Sequence, residues 1–203
     1  TISPKTTTTL GREGSDFSAA IFANCLDAEE LTIWKDVDGL RNADPKRFTV
    51  TEKIEHLSYF EAIELAFYGA SIIHPKTLKP LQNKNIPLKV RSFLDTSLEP
   101  SVIDGTKDYI KYVPSFIVKE RQTLMSITPK DYSFMNEHNR ALIFNIMDEL
   151  NIHANMTQIS ALVLSICFDE NEKKRIMLTD ALSQAFKVKY NDGLKLFTIR
   201  HYQ

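Results

Sequence analysis

Cysteine, tryptophan and glycine are all scarce in this 203-residue chain, with two, one and six copies respectively. Cys25 and Cys167 stand far apart and without metal-ligand spacing, so neither a disulfide framework nor a thiolate metal site is read from them. Buried free thiols in a reducing cytoplasm are the expectation. Long apolar runs are lacking too. The longest, Ala161-Leu162-Val163-Leu164-Ser165-Ile166-Cys167-Phe168, falls far short of the roughly 20 residues that cross a bilayer as a helix. No charge of one sign dominates: 25 basic and 26 acidic residues leave a net charge of -1, and with it no footprint for nucleic acid or an anionic membrane. The opening Thr1-Ile2-Ser3-Pro4-Lys5 is polar, unlike the apolar core of a secretory signal.

What remains is ordinary globular material, 43% hydrophobic and 25% charged, long enough for one large domain or two small ones. Its most informative stretch comes early. Thr6-Thr7-Thr8-Thr9 favours an extended strand, and Leu10-Gly11-Arg12-Glu13-Gly14 allows a tight turn. Ser15-Asp16 can cap the helix that Phe17-Ser18-Ala19-Ala20-Ile21-Phe22-Ala23 would form. Strand, glycine loop and helix N-terminus together aim unpaired N–H groups at one point, which suits an anion. Arg12 adds a planar fork for carboxylate or phosphate. An ordinary βα turn, with glycines and cap serving only the fold, is the plain alternative.

The string Thr6 to Ala20 resembles the aspartate kinase signature, L-G-R-G-G-S-D-[YF]-[ST]-A-A after a threonine-rich strand. Two further stretches follow in that family's order. Trp34-Lys35-Asp36-Val37-Asp38-Gly39-Leu40, followed by Ala43-Asp44-Pro45-Lys46, resembles its nucleotide loop, with Lys35 and Arg41 replacing the usual threonine and tyrosine. Gly69-Ala70-Ser71-Ile72-Ile73-His74-Pro75-Lys76-Thr77 is similar to G-A-K-V-[LI]-H-P-[RK]-[TA], with Ser71 replacing a phosphate-contacting lysine. The resemblance implies Asp16 as the organising catalytic residue and Arg12, Glu13, Gly14 and Ser15 at the substrate. It places Lys35, Asp36, Arg41, Lys46, Ser71 and Ile72 at the nucleotide. For Asp16 three roles stay open: holding a lysine, accepting from the substrate amine, or orienting Mg²⁺. His74 reads as a packed histidine fixing a strand-to-helix turn.

Between these motifs, Leu31–Trp34 reads as a buried strand, and Lys35 to Arg47 as a loop at its end. Ser58-Tyr59-Phe60-Glu61 reads as a capping box opening a helix whose Ile63, Ala66 and Phe67 face the core and which Gly69 stops. Ile86–Phe93 reads as a strand, and Leu94–Thr106 as a mostly exposed loop. A boundary near Lys111 then divides the chain into 1–111 and 112–203.

The second part carries a regular βαββαβ pattern: a strand at Thr123–Thr128, a helix at Asn136–Leu150, strands at Ala154–Ile159 and Leu162–Phe168, a helix at Lys173–Phe186 and a strand at Lys187–Tyr190. Asn191-Asp192-Gly193 reads as a turn into one more strand, Leu194–Ile199. That is the ferredoxin-like arrangement. Behind an aspartokinase-like lobe it resembles a first ACT regulatory module, the last strand starting a second. The fold expected is therefore α/β: the nucleotide-binding lobe of an amino-acid-kinase α/β/α sandwich, then a ferredoxin-like ACT domain. Effector positions implied by the resemblance are Ser133, Phe134, Met135, Asn139, Arg140, Asn155 and Ser160, for lysine or threonine. Asn155 stands where lysine-sensitive members carry aspartate; a dimerising module without ligand is the alternative.

Taken together, the resemblance implies transfer of the γ-phosphoryl group of ATP, with Mg²⁺, to the side-chain carboxylate of L-aspartate. That is the first step of lysine, threonine and methionine biosynthesis, run by a cytoplasmic homo-oligomer joined through ACT domains. Both ends read as cut, and the family's Lys-Phe-Gly-Gly string is missing, so we expect a fragment without turnover of its own. A non-catalytic regulatory subunit that binds a full-length aspartokinase is the second expectation. A kinase acting on glutamate or uridylate fits less well, because of the ACT-like part and the Gly11-Arg12-x-Gly14-Ser15-Asp16 string.

Overall fold

The computed structural model describes residues 14–70, 73–106 and 113–202, which fall into two compact units. The first runs to Ile117 and takes back Thr198 onward; the second is Val118–Phe197. The threonine-rich run 6–9 and the loop 10–13 lie outside the described residues.

In the first unit the order is α1 (Gly14–Cys25), β1 (Leu31–Lys35), β2 (Leu40–Arg41), β3 (Lys53–Ile54), β4 (His56–Ser58), α2 (Tyr59–Phe67), α3 (Pro75–Lys84), β5 (Leu88–Ser92) and β6 (Ser101–Asp104). Four strands form one sheet in the order β1-β5-β6-β4. β1 runs parallel to β5 and β4 parallel to β6, while β5 and β6 are antiparallel. β2 and β3 make a separate two-stranded ribbon. α1 packs on α3, and Ala20, Ala23, Leu78 and Leu81 join Ile33, Leu88, Val90 and Ile103 in one core. Small alanines on α1 allow that close approach of helix to helix.

The structure corrects several expectations. The stretch 94–106 is not all loop, because Ser101-Val102-Ile103-Asp104 alternates buried and half-buried residues and fills the slot between β4 and β5. α2 buries Ala62 and Leu65 and packs Ile63 against the core as expected, whereas Phe67 is 58% exposed. Cys25 is exposed, off the face of α1 that buries Ala20 and Ala23; Cys167 is buried as expected.

The second unit contains most of β7 (Ser115–Pro129), then α4 (Glu137–Glu149), β8 (Ala154–Ile159), β9 (Leu164–Asp169), α5 (Glu172–Leu182) and most of β10 (Phe186–Arg200). The sheet order β10-β7-β9-β8 is that of the expected split βαβ arrangement. Ile143 and Met147 of α4 and Leu178 and Leu182 of α5 pack on Met125, Ile127, Leu164 and Ile166. Asn136 and Asn171 cap the two helices by accepting from the N–H groups of Asn139 and Lys174.

β10 is one continuous strand, so the expected reversal at Asn191-Asp192-Gly193 does not occur. Asp192 accepts a hydrogen bond from Thr123 Oγ1 at 2.6 Å and pairs with Arg175, and the Gly193 N–H donates to Glu170. With its neighbours so held, Gly193 at φ +68° serves as a local irregularity within the strand.

Candidate active site

The described part of the site starts at the N-terminus of α1. Gly14, Ser15 and Asp16 form its first turn, whose N–H groups have no partner within the helix by geometry. Ser18 Oγ donates to the Gly14 carbonyl at 2.8 Å, and so leaves those N–H groups alone. Ser15 Oγ lies 3.4 Å from Asp16 Oδ1. Lys35 ends β1, held in register opposite Ser92. Its ammonium reaches to 3.4 Å from Asp16 Oδ2, with both side chains mostly shielded. A helix start and a strand end, the two features the sequence offered separately, thus place one carboxylate beside one ammonium.

The loop after Lys35 is built by its own polar groups. Gly39 sits at φ +133°, and a Cβ there would come within 2.5 Å of Ser101 Oγ, so only glycine fits. Ser101 Oγ in turn accepts from the Leu40 N–H at 2.8 Å and donates to the Ile54 carbonyl at 2.6 Å. Arg41 forms a bidentate pair with Asp38, at 3.0 and 2.6 Å, and donates to the Thr51 hydroxyl and carbonyl as well. The hydrogen bonds from Arg41 hold Asp38 below the usual carboxylate range, and Asp38 raises Arg41. Four of the five guanidinium donors are thereby engaged inside the loop. Arg41 braces the loop. Asp36 and Lys46 are exposed, and the Lys46 N–H closes a turn on Asp44 Oδ1 at 2.9 Å.

Arg12, Glu13, Ser71 and Ile72 lie outside the described residues. His74 is the N-cap of α3, its Nδ1 accepting from the Lys76 N–H at 3.2 Å, as a turn-fixing histidine would. Ser58 caps α2 by accepting from the Glu61 N–H, but the other half of the expected box is absent. Glu61 is 3% exposed, and its carboxylate turns instead to Arg200, at 2.9 and 3.0 Å, and to His201 at 2.8 Å. Arg200 also pairs with Glu64 at 2.9 Å and lies over the Tyr68 ring. Nothing in the sequence signalled this cluster, whose members stand about 140 positions apart.

In the second unit the structure gathers only some of the expected effector residues. The Met135 N–H donates to the Ala161 carbonyl at 2.8 Å, bringing Ser133, Phe134 and Met135 next to Ser160. Asn139 Nδ2 donates to the Phe134 carbonyl, and Arg140 pairs with Glu137. Asn155 is placed elsewhere. It occupies an irregularity at the start of β8, where it bonds Gln122, Asp169 and Lys119.

Among the described residues, no helix is long and apolar enough to cross a membrane, and no three or more His, Cys, Asp or Glu side chains gather as metal ligands.

Residues 1–92 match the amino acid kinase family. Aspartokinase 3, chloroplastic, of Arabidopsis thaliana is 32% identical over 170 residues, covering 81% of this chain and 30% of the relative. The bifunctional aspartokinase/homoserine dehydrogenase 1, chloroplastic, of Zea mays is 31% identical over 185 residues, 89% of this chain and 20% of the relative. Among solved structures, E. coli aspartokinase III in complex with aspartate and ADP (R-state) matches with a TM-score of 0.79 and 26% identity, over 95% of this chain and 44% of that one. The same enzyme with lysine and aspartate (T-state) matches with a TM-score of 0.76 and 27% identity, again over 95% and 44%. The chain thus spans less than half the length of each of these relatives. By its matched residues, its relatives and its fold, the first 92 residues belong to the amino acid kinase family, and the chain as a whole is similar to aspartokinases.

Proposed function

We propose that this chain supplies part of an aspartokinase that transfers the γ-phosphoryl group of ATP to the side-chain carboxylate of L-aspartate, giving 4-phospho-L-aspartate. The observation that carries the proposal is the Asp16–Lys35 pair at 3.4 Å, set where the end of β1 meets the first turn of α1. In an α/β sheet, that end of the strands is where ligands bind. The relatives' complexes with aspartate and ADP support the same substrates.

Phosphoryl transfer demands alignment and charge neutralisation more than covalent help from the protein. Lys35 brings a positive charge to the mouth of the site, and Asp16 fixes where that charge sits. The first-turn N–H groups of α1 add donors for an anionic group, with Arg12 next in the chain to grip the substrate carboxylate. The braced loop around Arg41 gives the nucleotide a rigid wall, with Asp36 and Lys46 on its open side. The described carboxylates do not build a cage for Mg²⁺, because Asp16 is held by Lys35 and no cluster of ligands surrounds it. Lys35 and the N–H groups of α1 contribute to the charge neutralisation.

We assign the first 111 residues to the kinase lobe and the remainder to an ACT-type module that also joins copies of the enzyme. Within that module the corner formed by Ser133, Phe134, Met135 and Ser160 is the proposed effector site, for lysine or threonine. Two free thiols fit a reducing compartment, either the cytoplasm or a chloroplast like that of the plant relatives.

Trp34 is the chain's one tryptophan, half exposed and adjacent to Lys35, so its fluorescence reports on the site. ADP titrated into the 203-residue chain is expected to change that fluorescence saturably, and Lys35→Met to weaken binding by about tenfold, the equivalent of ~1.4 kcal/mol. The same chain is expected to show no aspartate-dependent ATP turnover. Equal ADP affinity in the variant, or turnover at an ordinary kinase rate of about 1–100 s⁻¹, would overturn this assignment.

A further inference from the structure

The second unit's sheet has one face covered by α4 and α5 and one face free of helices. Along β7, Met125 and Ile127 enter the helix-side core, so Ser126 and Thr128 point to the other side. Val188 packs on the same core, which turns its neighbours Lys187 and Lys189 outward to join them. On this face lies a cavity of about 520 Å³, lined by Ser126, Thr128, Lys130, Tyr132, Lys187 and Lys189. Pro129 and Val163 supply an apolar wall.

Its charge is one-sided. Three ammonium groups border the cavity, no carboxylate does, and among the described residues none of the three is placed in an ion pair. The nearest acid in sequence, Asp131, is not among the lining residues and accepts from the Ser133 N–H at 3.0 Å. Lys187 and Lys189 project from one strand face about 7 Å apart, two residue rises. Lys130 is brought to them because its N–H donates to the Ala185 carbonyl, one step before β10 begins. Like charges gathered this closely repel each other, and an anion of two or more charges would relieve all three at once. The hydroxyls of Ser126, Thr128 and Tyr132 add neutral donors around the same space.

We propose that this cavity binds a small multivalent oxyanion, a phosphate or polycarboxylate compound with an apolar portion that rests on Val163 and Pro129. An α-amino-acid effector, whose ammonium the three lysines would repel, is the wrong ligand for it. The proposal therefore adds a second ligand class to this unit and does not depend on the kinase assignment.

The test is an amide NMR titration of the 203-residue chain with pyrophosphate and, separately, with citrate, at ionic strength matched by chloride. Saturable shifts clustered at Ser126, Thr128, Val163 and Lys189 are expected, and whether pyrophosphate or citrate binds more tightly identifies the oxyanion. The exposed pair Lys187→Gln/Lys189→Gln should weaken binding at least tenfold while leaving the rest of the spectrum unchanged. The proposal is overturned by shifts that chloride reproduces, by shifts confined to residues around Asp16 and Lys35, or by unchanged binding in the double variant. Shifts that follow protein concentration and ignore the anion would mean that a second copy of the chain covers this face, and would overturn it equally.

Discussion

Replacing Arg200 with methionine should destabilise the first unit by about 3 kcal/mol, because it strands the buried Glu61 carboxylate. Glu61 has a side chain only 4% exposed, and it holds its charge through two bonds from Arg200 and one contact with His201. Burial by itself would raise its pKa. The Arg200 guanidinium and His201 outweigh that and leave it below the ordinary carboxylate range. The lower end of the range for broken buried pairs is the right choice, since Arg200 keeps 18% exposure and His201 remains in the variant. For a chain of this size the loss corresponds to a fall in Tm of roughly 6–12 °C. Urea unfolding followed through Trp34, which sits in the same unit, measures it. The double variant Glu61→Leu/Arg200→Met should recover most of the loss, because an apolar pair leaves no charge uncompensated. A single variant within 0.5 kcal/mol of the parent would show the pair to be idle.

The same carboxylate gives a pH signature. A group whose folded pKa lies below its unfolded value of 4.5 adds stability that is fully present above that value. The contribution is lost as pH falls below 4.5 and through the folded-state pKa. The acid limb of a stability–pH curve should therefore flatten in the Glu61→Leu/Arg200→Met variant relative to the parent chain.

Asp16→Asn, made in the longer enzyme to which we assign this chain, should lower kcat by about 10²–10³-fold, the usual loss for one preorganised electrostatic contact. Neutralising Asp16 removes the charge that holds Lys35 in place, so the ammonium is no longer fixed where phosphoryl charge develops. Lys35→Met should fall in the same range, since it deletes the positive charge itself. The two residues act as a unit, and the double variant should be little worse than the poorer single one. Steady-state kinetics with both substrates saturating reads the effect, and the Trp34 unfolding midpoint shows whether the fold survives. An Asp16→Asn enzyme with kcat within about threefold of the parent would remove Asp16 from the machinery.

Local features of the fold were legible wherever a short-range cause determined them. The helix read over Asn136–Leu150 matches α4, which Asn136 caps and which buries Ile143 and Met147, and the order of elements in the second unit gave its topology. The Asp38-Gly39 pair marked a turn that the structure needs for close packing against Ser101. Long-range causes were not legible in the same way. The stretch 94–106 looked like loop because its turn-forming residues outnumber the four that β4 and β5 recruit as β6. Asn191-Asp192-Gly193 has hairpin composition, yet contacts with Thr123, Arg175 and Glu170 keep β10 running through it. Glu61 looked like half of a capping box until a partner 139 positions away competed for its carboxylate.

By itself the sequence determined the family resemblance, the class of fold and the residues around which a site can be sought, because motifs, caps and periodicities act over a few neighbouring positions. Only the tertiary structure decided the partners: Lys35 with Asp16, Arg41 with Asp38 and Thr51, Arg200 with Glu61, and three lysines around one cavity. Charges choose partners by distance in space, and that distance is set by how strands and helices pack, which neighbouring residues along the chain do not encode.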